Sequence, residues 1–330
     1  MSARRPTLEE VAVRAKVSRG TVSRVINGSA RVSPQTRAAV MKAIDELGYV
    51  PNHAGRTLAA RRTGVVALVL SEEQARPFEQ PYFGEILRGI SSASSAAGLQ
   101  LMLTFTHSPA DRARLADDLR TQRVDGVMLI SLLHRDPLPG LLAAGGIPTV
   151  LGGRPANPAS YVDADNKGGA RRATEYLIGQ DRKRIATIAG LPDTAVGIDR
   201  LDGYRQALSG GPELVARGDF SETGGATAMQ ELLEREPSLD AVFAASDNMA
   251  VGALHVLQRH GRRVPDDVAV IGFEDSPIAR RADPALTTVH QPTESMGRQM
   301  VEMLLTRIHG TSTANGQVIC ETNLVIRASA

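Results

Sequence analysis

The 330-residue sequence contains one cysteine, no tryptophan and only 3% aromatic residues. A single cysteine, Cys320, excludes an intramolecular disulfide and cannot build a cysteine zinc cluster. The seven histidines form no HExxH pattern, so we predict no metal site and no other cofactor. The sequence also has no apolar run long enough to span a membrane, and its first residues lack the apolar core of a secretory signal. We therefore expect a cytosolic protein.

Motifs that carry catalysis are missing as well. The sequence has neither a phosphate-binding Walker loop nor a Gly-x-Ser-x-Gly nucleophile motif. A segment that begins at Asp163 starts like a calcium loop, but Lys167 occupies the fifth ligand position and Thr174 the twelfth, where a bidentate Glu is needed. We predict instead that this segment is a strand end that leads into a capped helix. A glycosidase would need two carboxylates on either side of a glycosidic bond, and no motif indicates such a pair. We predict that the protein is not an enzyme.

Charge is distributed unevenly along the chain. The formal net charge is +2, yet residues 1–62 contain twelve Lys or Arg against four acidic residues, which leaves the remaining residues with a net charge of −6. A basic segment joined to an acidic body is typical of a nucleic-acid-binding module attached to a domain with another role. An ordinary solvated basic surface is the alternative.

The basic segment contains a pattern of two short helices joined by a turn, within residues 7–27. Thr7 and Glu10 form a capping box, and Ser18 can cap the second helix. Each helix has one apolar face, formed by Leu8, Val11, Ala12 and Ala15 in the first and by Val22, Val25 and Ile26 in the second. The outward face of the second helix carries side chains that reach phosphates and base edges, namely Arg19, Thr21, Ser23, Arg24 and Asn27. This pattern indicates a helix-turn-helix, although part of an ordinary helical bundle would have the same periodicity.

A third helix follows, because Ser33 and Pro34 are a cap and a helix-starting proline, and Gly48 can end the helix. Its predicted apolar face consists of Val40, Met41, Ile44 and Leu47. In register from Thr7 to Ala59, the motifs TLEEVA, VSRGTVSRVING, VSPQTRAAV, LGYVPN and RTLA resemble the lactose-repressor (LacI/GalR) family of bacterial transcription regulators.

From Thr63 the pattern changes to alternating strands and helices. Apolar runs predict strands at 65–70, 99–105, 126–130, 148–151, 184–189, 241–244 and 268–271. Helical periodicity predicts helices near 82–97, 110–122, 138–144, 166–179, 198–208, 222–234, 248–259 and 293–308. Repeated β-α units predict parallel sheets covered by helices, and such sheets bind ligands at the carboxyl ends of their strands.

The resemblance implies an all-α helix-turn-helix headpiece plus an α/β periplasmic-binding-protein-like core of two parallel-sheet subdomains. The headpiece would span residues 1–50, a hinge helix or linker 51–62, and the effector-binding core 63–330. We expect the chain to cross between subdomains near Val162, near His290–Gln291 and near Cys320. The N-subdomain would then contain about 63–162 and 291–319, and the C-subdomain about 163–290 and 320–330. The family also implies a homodimer on a palindromic double-stranded DNA operator.

For the headpiece, the resemblance assigns base reading to the recognition helix. A bidentate contact from Arg19 to guanine would contribute ~1–3 kcal/mol of discrimination. Gly20 has no side chain, so specificity would depend on Arg19, Thr21 and Arg24. Other positions match those that hold or border the DNA backbone: Thr7, Leu8, Ser18, Ser23, Asn27, Ser33, Thr36, Tyr49 and Asn52. Leu58 matches the hinge leucine that wedges into the minor groove. Gly55 within that hinge costs ~1 kcal/mol in a helix, so we expect a hinge that is disordered without DNA.

For the core, the resemblance implies a small sugar effector. Arg200 and Asp247 match effector-binding residues, and Phe220 falls where an aromatic residue packs against the sugar. Their alternatives are a solvated helix charge, an N-cap and a core residue. Glu274 stands where the family usually has Asp, and Arg154 lies in a Gly-Arg-Pro motif typical of oligosaccharide-responsive members. Tyr82 and Phe83 could form an aromatic wall or belong to the core. The predicted effector set also includes Ser71 and Gln291.

The function predicted from these residues is a sugar-responsive transcriptional repressor. The motifs HRDPLPGLL, GGRP, YVDADN, RIATIAG, GDF, VFAASD and HQPTE resemble cellobiose-responsive repressors of high-GC bacteria. We therefore expect cellobiose, or another short β-glucoside, to act as inducer of carbohydrate-utilisation genes. A maltose- or xylobiose-type sugar and a nucleobase co-repressor are the alternatives. A stand-alone sugar-binding protein would need an export signal and would have no use for residues 1–62.

Overall fold

The computed structural model describes residues 6–26, 29, 31–49, 62–71, 81–106, 108–121, 124–131, 133, 135–311 and 314–330. The chain forms two compact units, Met1–Gly64 and Val65–Ala330, which are treated separately below. The predicted hinge contacts of Gly55 and Leu58, and the backbone contacts of Asn27 and Asn52, lie outside the described residues and stay predictions.

In its described residues the first unit contains three helices, α1 (Leu8–Arg14), α2 (Arg19–Ile26) and α3 (Pro34–Leu47). The predicted capping box is confirmed, because Glu10 N donates to Thr7 Oγ1 and Thr7 N donates to the Glu10 carboxylate. Ser18 Oγ accepts from Thr21 N at 3.1 Å and so caps α2. Gly48 ends α3 at a φ of +61°, a left-handed conformation that glycine adopts without strain.

A small apolar core holds the three helices together, with Val11, Val22, Val25 and Val40 buried at its centre. The expectation for Met41 was wrong, because its side chain is 47% exposed and Ala43 is buried on that face instead. Met41 and Ala43 lie on the two edges of the apolar stripe of α3, and the periodicity alone does not decide which edge is buried. In the structure the edge with the smaller side chain, Ala43, packs in the core.

The second unit begins with a six-stranded sheet, the first subdomain. Its strands are β1 (Val65–Ser71), β2 (Gln100–Thr106), β3 (Gly126–Ile130), β4 (Thr149–Gly152), β5 (Tyr161–Ala164) and β11 (Gln317–Cys320). Their order is β11-β5-β4-β3-β1-β2, and all pairs are parallel. The associated helices are α4 (Pro81–Ala96), α5 (Pro109–Thr121), α6 (Leu138–Ala144) and α12 (Thr293–Ile308). Every residue of β3 is buried, as expected for a central parallel strand with covered faces.

The second subdomain contains the other six-stranded sheet. Its strands are β6 (Ile185–Ala189), β7 (Leu214–Arg217), β8 (Ala241–Ala244), β9 (Ala269–Glu274), β10 (Thr287–His290) and β12 (Asn323–Val325), in the order β12-β10-β9-β8-β6-β7. Its helices are α7 (Asn166–Gly179), α8 (Ala195–Leu208), α9 (Glu222–Arg235), α10 (Asp247–Arg259) and α11 (Pro277–Arg281). One detail departs from the prediction of a parallel sheet, because edge strand β12 pairs antiparallel with β10.

The chain passes between the subdomains three times. It leaves the first sheet after Ala164, returns after His290 and leaves again after Cys320. The sequence placed these crossings near Val162, near His290–Gln291 and near Cys320. Each subdomain is thus assembled from separate stretches of the chain, and the carboxyl ends of both sets of parallel strands lead toward the crossings.

Three helix pairs pack closely through glycine. A Cβ atom on Gly89 of α4 would lie 2.0 Å from the backbone oxygen of Glu294 in α12. The same distance would separate a Cβ on Gly252 of α10 from the backbone oxygen of Glu222 in α9. Gly203 of α8 approaches α7 so closely that a Cβ added to it would lie 2.3 Å from Lys167 O. Because glycine has no side chain, the two backbones of each pair lie in direct contact at these positions.

Within the described ranges, no helix combines the length and apolar character needed to cross a bilayer. The same residues contain no group of three or more His, Cys, Asp or Glu side chains arranged to hold a metal ion.

Candidate functional site

The headpiece exposes a polar surface along α2. Ser18, Arg19, Gly20 and Arg24 are exposed, and Thr21 and Ser23 are half-buried. Arg19 Nη1 lies 3.1 Å from Glu9 Oε1, and both side chains are more than half exposed. Because this partner is itself solvated, the guanidinium is available to a phosphate or a base edge. The packing face of α2 is opposite, at Val22 and Val25, so the helix has one buried side and one exposed side.

The other predicted DNA-contact positions differ in exposure. Ser33 Oγ accepts from Thr36 N and donates to Thr36 Oγ1 at 2.8 Å, so both side chains fix the start of α3. Thr7 and Leu8 are half-buried at the start of α1. Tyr49 is only 8% exposed and belongs to the headpiece core. In this structure its ring is therefore a packing residue, whereas its contact with DNA stays a prediction.

In the second unit, a cavity lies between the two subdomains, and the centres of water-sized spheres can occupy about 140 Å³ of it. The predicted effector residues that line it are Tyr82, Phe83, Arg154, Arg200, Phe220, Glu274 and Gln291. The cavity is bordered by the ends of β4, β5 and β9 and by the first turn of α8. Ser71 ends β1, and its side chain lies outside what the structure describes.

Arg200 is the buried cation of this cavity, with only 2% of its surface exposed. Its Nε donates to Asn166 Oδ1 at 2.9 Å and its Nη2 donates to Gln291 Oε1 at 2.8 Å. The guanidinium carbon lies 3.7 Å from the centre of the Phe273 ring, a cation–π contact. The alternative of a solvated helix charge is wrong, because neighbours from three elements hold the side chain in one position.

Two carboxylates balance this cation. Glu274 Oε1 lies 3.6 Å from Arg200 Nη1, and burial raises the pKa of Glu274 to about 7 although Arg200 acts in the opposite direction. Asp163 accepts from Asn166 Nδ2 and from the backbone N of Ala164 and Arg154, yet burial raises its pKa to about 6. Burial also lowers the pKa of Arg200, with Glu274 and Asp163 opposing the change. The wall of the cavity therefore presents both hydrogen-bond donors and hydrogen-bond acceptors in fixed positions.

Aromatic rings supply the apolar part of the wall. Tyr82 and Phe83 pack edge to face, with centroids 5.3 Å apart, and burial raises the pKa of the Tyr82 phenol. Phe220 adopts a left-handed φ of +67°, and its ring packs directly against Gly190. Phe220 also packs against the core of the second subdomain, so the same ring lines the cavity and belongs to the edge of the core.

Asp247 does not line this cavity. It is fully buried, and its carboxylate accepts from Ser276 N, Ser276 Oγ and Thr288 Oγ1 at 2.5–2.9 Å. The N-cap of α10 is Ser246, whose Oγ accepts from Met249 N. Burial raises the pKa of Asp247 to about 7. In this structure Asp247 ties α10 to β10 and to the start of α11, and its contact with an effector stays a prediction.

Several lining residues were not predicted from the sequence. Asp163 and Asn166 lie where β5 leads into α7, and Thr194 caps α8. The polar run after Val162 was recognised as a strand end leading into a capped helix, which the structure confirms with Asp165 as the N-cap. That run could have indicated the site, because polar residues at the carboxyl end of a parallel strand border the ligand crevice.

The two units together define a class of protein. A helix-turn-helix with a free basic face is a DNA-binding module, and a cavity between two parallel-sheet subdomains is a small-molecule site. The chain is therefore built as a ligand-responsive DNA-binding regulator.

Comparison with known proteins agrees with this class. Residues 7–52 match the bacterial regulatory proteins of the lacI family, and residues 174–330 match a periplasmic binding protein-like domain. The chain is 52% identical to the HTH-type transcriptional regulator CelR of Thermobifida fusca, over 99% of this chain and 98% of CelR. A solved CelR–cellobiose complex is similar at 51% identity with a TM-score of 0.78, covering 99% of this chain and 100% of the other. The lac repressor dimer bound to operator and the anti-inducer ONPF gives 26% identity and a TM-score of 0.88, over 99% of both chains.

The chain belongs to the lacI family of bacterial regulatory proteins, which are DNA-binding transcriptional regulators and not enzymes.

Proposed function

We propose that this protein is a transcriptional repressor that binds a palindromic operator as a homodimer and is released from it by cellobiose or a related short β-glucoside. It would act in the cytoplasm, where its operator is, and control carbohydrate-utilisation genes. The observation that carries the proposal is the cavity between the subdomains, where the fixed guanidinium of Arg200 faces carboxylates and aromatic rings.

The composition of the cavity favours a sugar. Sugar hydroxyls both donate and accept hydrogen bonds, and Asp163, Glu274 and Gln291 offer acceptors close to the donors of Arg200 and Asn166. The apolar faces of pyranose rings pack on aromatic side chains, which Tyr82, Phe83 and Phe220 supply. The similarity to CelR, which is solved as a cellobiose complex, supports cellobiose in particular.

The charges of the cavity favour an uncharged ligand. Arg200 and Arg154 are the cations among its described lining residues, and each faces a carboxylate, Glu274 or Asp199. Asp163 adds a further carboxylate at the same site. A phosphorylated sugar would bring a dianion toward these acids without finding a free bidentate arginine, which is the group that recognises phosphate best. We therefore infer that the effector is an unphosphorylated oligosaccharide.

The operator would be read by α2. Arg19 has the exposed position at its start, and in the absence of DNA it pairs with Glu9. A guanine in the operator would have to replace this solvated partner, which contributes about 1 kcal/mol or less.

The test is operator release by a panel of sugars. A fluorescent palindromic duplex with a guanine in each half-site is titrated with the protein at fixed salt. Cellobiose, cellotriose, maltose, xylobiose, glucose and hypoxanthine are then added separately. We expect release by cellobiose or cellotriose. In a homodimer Arg19→Ala removes one bidentate base contact from each half-site, so it should weaken operator binding at least about 30-fold, which corresponds to two losses of ~1–3 kcal/mol each.

The matched control is Arg205→Gln on the distal part of α8, where the exposed Arg205–Glu213 pair does not line the cavity. This variant should bind and release the operator like the wild type. Tighter operator binding with any ligand would reverse the proposed sign and indicate a co-repressor. Release by maltose, xylobiose or hypoxanthine alone would contradict the choice of cellobiose.

A further inference from the structure

One ion pair beside the cavity joins the two subdomains. Arg154 lies just after β4 in the first subdomain, and Asp199 lies on α8 in the second. Arg154 Nη2 lies 2.5 Å from Asp199 Oδ1, and Arg154 Nε lies 3.2 Å from Asp199 Oδ2. This is the planar bidentate geometry that makes arginine–carboxylate pairs both strong and directional.

Neighbouring contacts fix both partners of the pair. The backbone N of Arg154 donates to Asp163 Oδ2 at 2.9 Å, which fixes the start of the side chain. Asp199 directly precedes Arg200, whose buried guanidinium is held by Asn166 and Gln291. The pair therefore connects two rigid points and not two mobile loops.

The position of the pair relates it to ligand passage. Arg154 lines the cavity while 39% of its side chain is exposed, so it stands where the cavity meets solvent. The Asp199 side chain is 15% exposed. Among the ion pairs formed between described residues, this is the one that joins the two subdomains of the second unit; the others lie within one subdomain or within the headpiece.

We propose that Arg154 and Asp199 form a clamp that holds the subdomains closed over the bound ligand, with Asp199 as a positioning residue that acts through Arg154. This proposal depends on the proposed function only for the identity of the ligand. A ligand held between the subdomains leaves only when they separate at this edge. Breaking the clamp therefore speeds ligand release without changing which sugars bind.

The experiment compares two single variants with a charge exchange. Asp199→Asn removes one charge with little change in shape, and Arg154→Gln removes the other charge and shortens the side chain. The double variant Arg154→Asp/Asp199→Arg reverses the pair. We expect each single variant to raise the Kd for cellobiose about three- to fivefold, as typical of a partly exposed pair, and the double variant to recover most of this loss. Raising the salt to about 0.5 M should weaken wild-type binding and leave the single variants nearly unchanged.

The matched control is Arg205→Gln, because it breaks an exposed ion pair on the same helix, 3.0 Å from Arg205 Nε to Glu213 Oε2, without touching the cavity. Its Kd should equal that of the wild type. A direct role of Arg154 in ligand contact gives a different result: Arg154→Gln weakens binding, Asp199→Asn does not, and the exchange fails to recover affinity. That outcome would overturn the clamp.

Amide hydrogen exchange in the ligand-free protein separates this proposal from the proposed function. The single variants should exchange faster in segments 152–158 and 194–200, and the double variant should approach the wild type. If cellobiose does not bind the wild type, the proposed function fails while this comparison still decides the clamp. If cellobiose binds and exchange in both segments is unchanged in the single variants, the clamp alone fails.

Discussion

At the scale of single residues, Glu274 is the position where the cavity departs from the expected pattern. The family usually has aspartate there. Glu274 ends β9 with a φ of +112°, a conformation that non-glycine residues adopt only when their surroundings impose it. The longer side chain reaches Arg200 from this strained backbone, at 3.6 Å. The substitution therefore keeps a carboxylate beside the buried guanidinium.

The raised pKa of Glu274 predicts a pH dependence of stability. Burial raises its pKa from 4.5 to about 7, so between these values the folded protein holds a proton that the unfolded chain releases. The contribution of Glu274 is thus fully present below pH 4.5 and is lost as the pH rises through 7. We expect the free energy of unfolding of the wild type to fall by up to ~1.4 kcal/mol per pH unit relative to Glu274→Gln across this window.

Urea denaturation at several pH values measures this difference. Asp267→Asn is the control, because Arg263 lowers the pKa of exposed Asp267 to about 2 and no proton is exchanged in that window. Parallel curves for the wild type and Glu274→Gln would show that Glu274 is already ionised in the folded protein at pH 5.

The sequence predicted the cavity residues that a motif marks and missed those that only the fold brings together. Arg200, Phe220 and Arg154 stand in recognisable motifs, and all three line the cavity. Asn166 was read only as the start of a helix, because its contact with Arg200 spans 34 residues of sequence. Asp247 is the opposite case, because it was predicted as an effector residue and does not line the cavity. Its carboxylate accepts hydrogen bonds from Ser276 and Thr288, which belong to later elements, and no local sequence pattern indicates these contacts.

At the scale of elements, most helices were predictable, and short strands that contain polar residues were not. The helices at Leu138–Ala144, Asn166–Gly179 and Thr293–Ile308 have the predicted bounds. The strands β7, β10, β11 and β12 were not predicted. Each has three or four residues with polar side chains among them, so period-2 alternation has too few positions to be recognised. Pairing with neighbouring strands, and not local propensity, makes these segments extended.

The close packing of α7 and α8 predicts a sharp effect for one added methyl group. In Gly203→Ala the new Cβ would lie 2.3 Å from Lys167 O, so α8 must move away from α7 and carry Arg200 with it. We expect the free energy of unfolding to fall by ~1–3 kcal/mol, together with weaker cellobiose binding.

Gly179→Ala, at the end of α7, is the matched control. Nothing lies within 4 Å of its added Cβ, so alanine should increase stability by up to ~1 kcal/mol through helix propensity. Denaturant unfolding and calorimetric titration measure both variants. Equal stability of the two would contradict the close contact between the helices.

At the scale of the whole molecule, the chain consists of two units with separate cores, one formed by the headpiece helices and the other by the two sheets. The cavity belongs entirely to the second unit. A ligand bound there stabilises directly only the unit that holds it, because stabilisation by mass action requires binding to the folded form.

Thermal unfolding should therefore show two transitions with different responses to cellobiose. At a hundredfold excess over Kd, the transition of residues 65–330 should gain ~2.7 kcal/mol, which raises its midpoint by about 5–10 °C in a unit of this size. The headpiece transition should stay in place. Scanning calorimetry with and without cellobiose tests this, with a sugar that does not release the operator as the control. A shift of both transitions by the same amount would mean that the units unfold as one.

The threefold passage of the chain between the subdomains has a consequence for the history of the gene. Recombination at a single point near Gly64 transfers a whole headpiece, and with it an entire operator preference, to another core. The same exchange transfers the ligand site whole, but no single point within the core exchanges one wall of that site, since its walls come from stretches on both sides of the first two crossings. Operator preference and ligand preference can therefore each be inherited as a block, whereas a change in one wall of the ligand site must be acquired by point substitutions within an intact core.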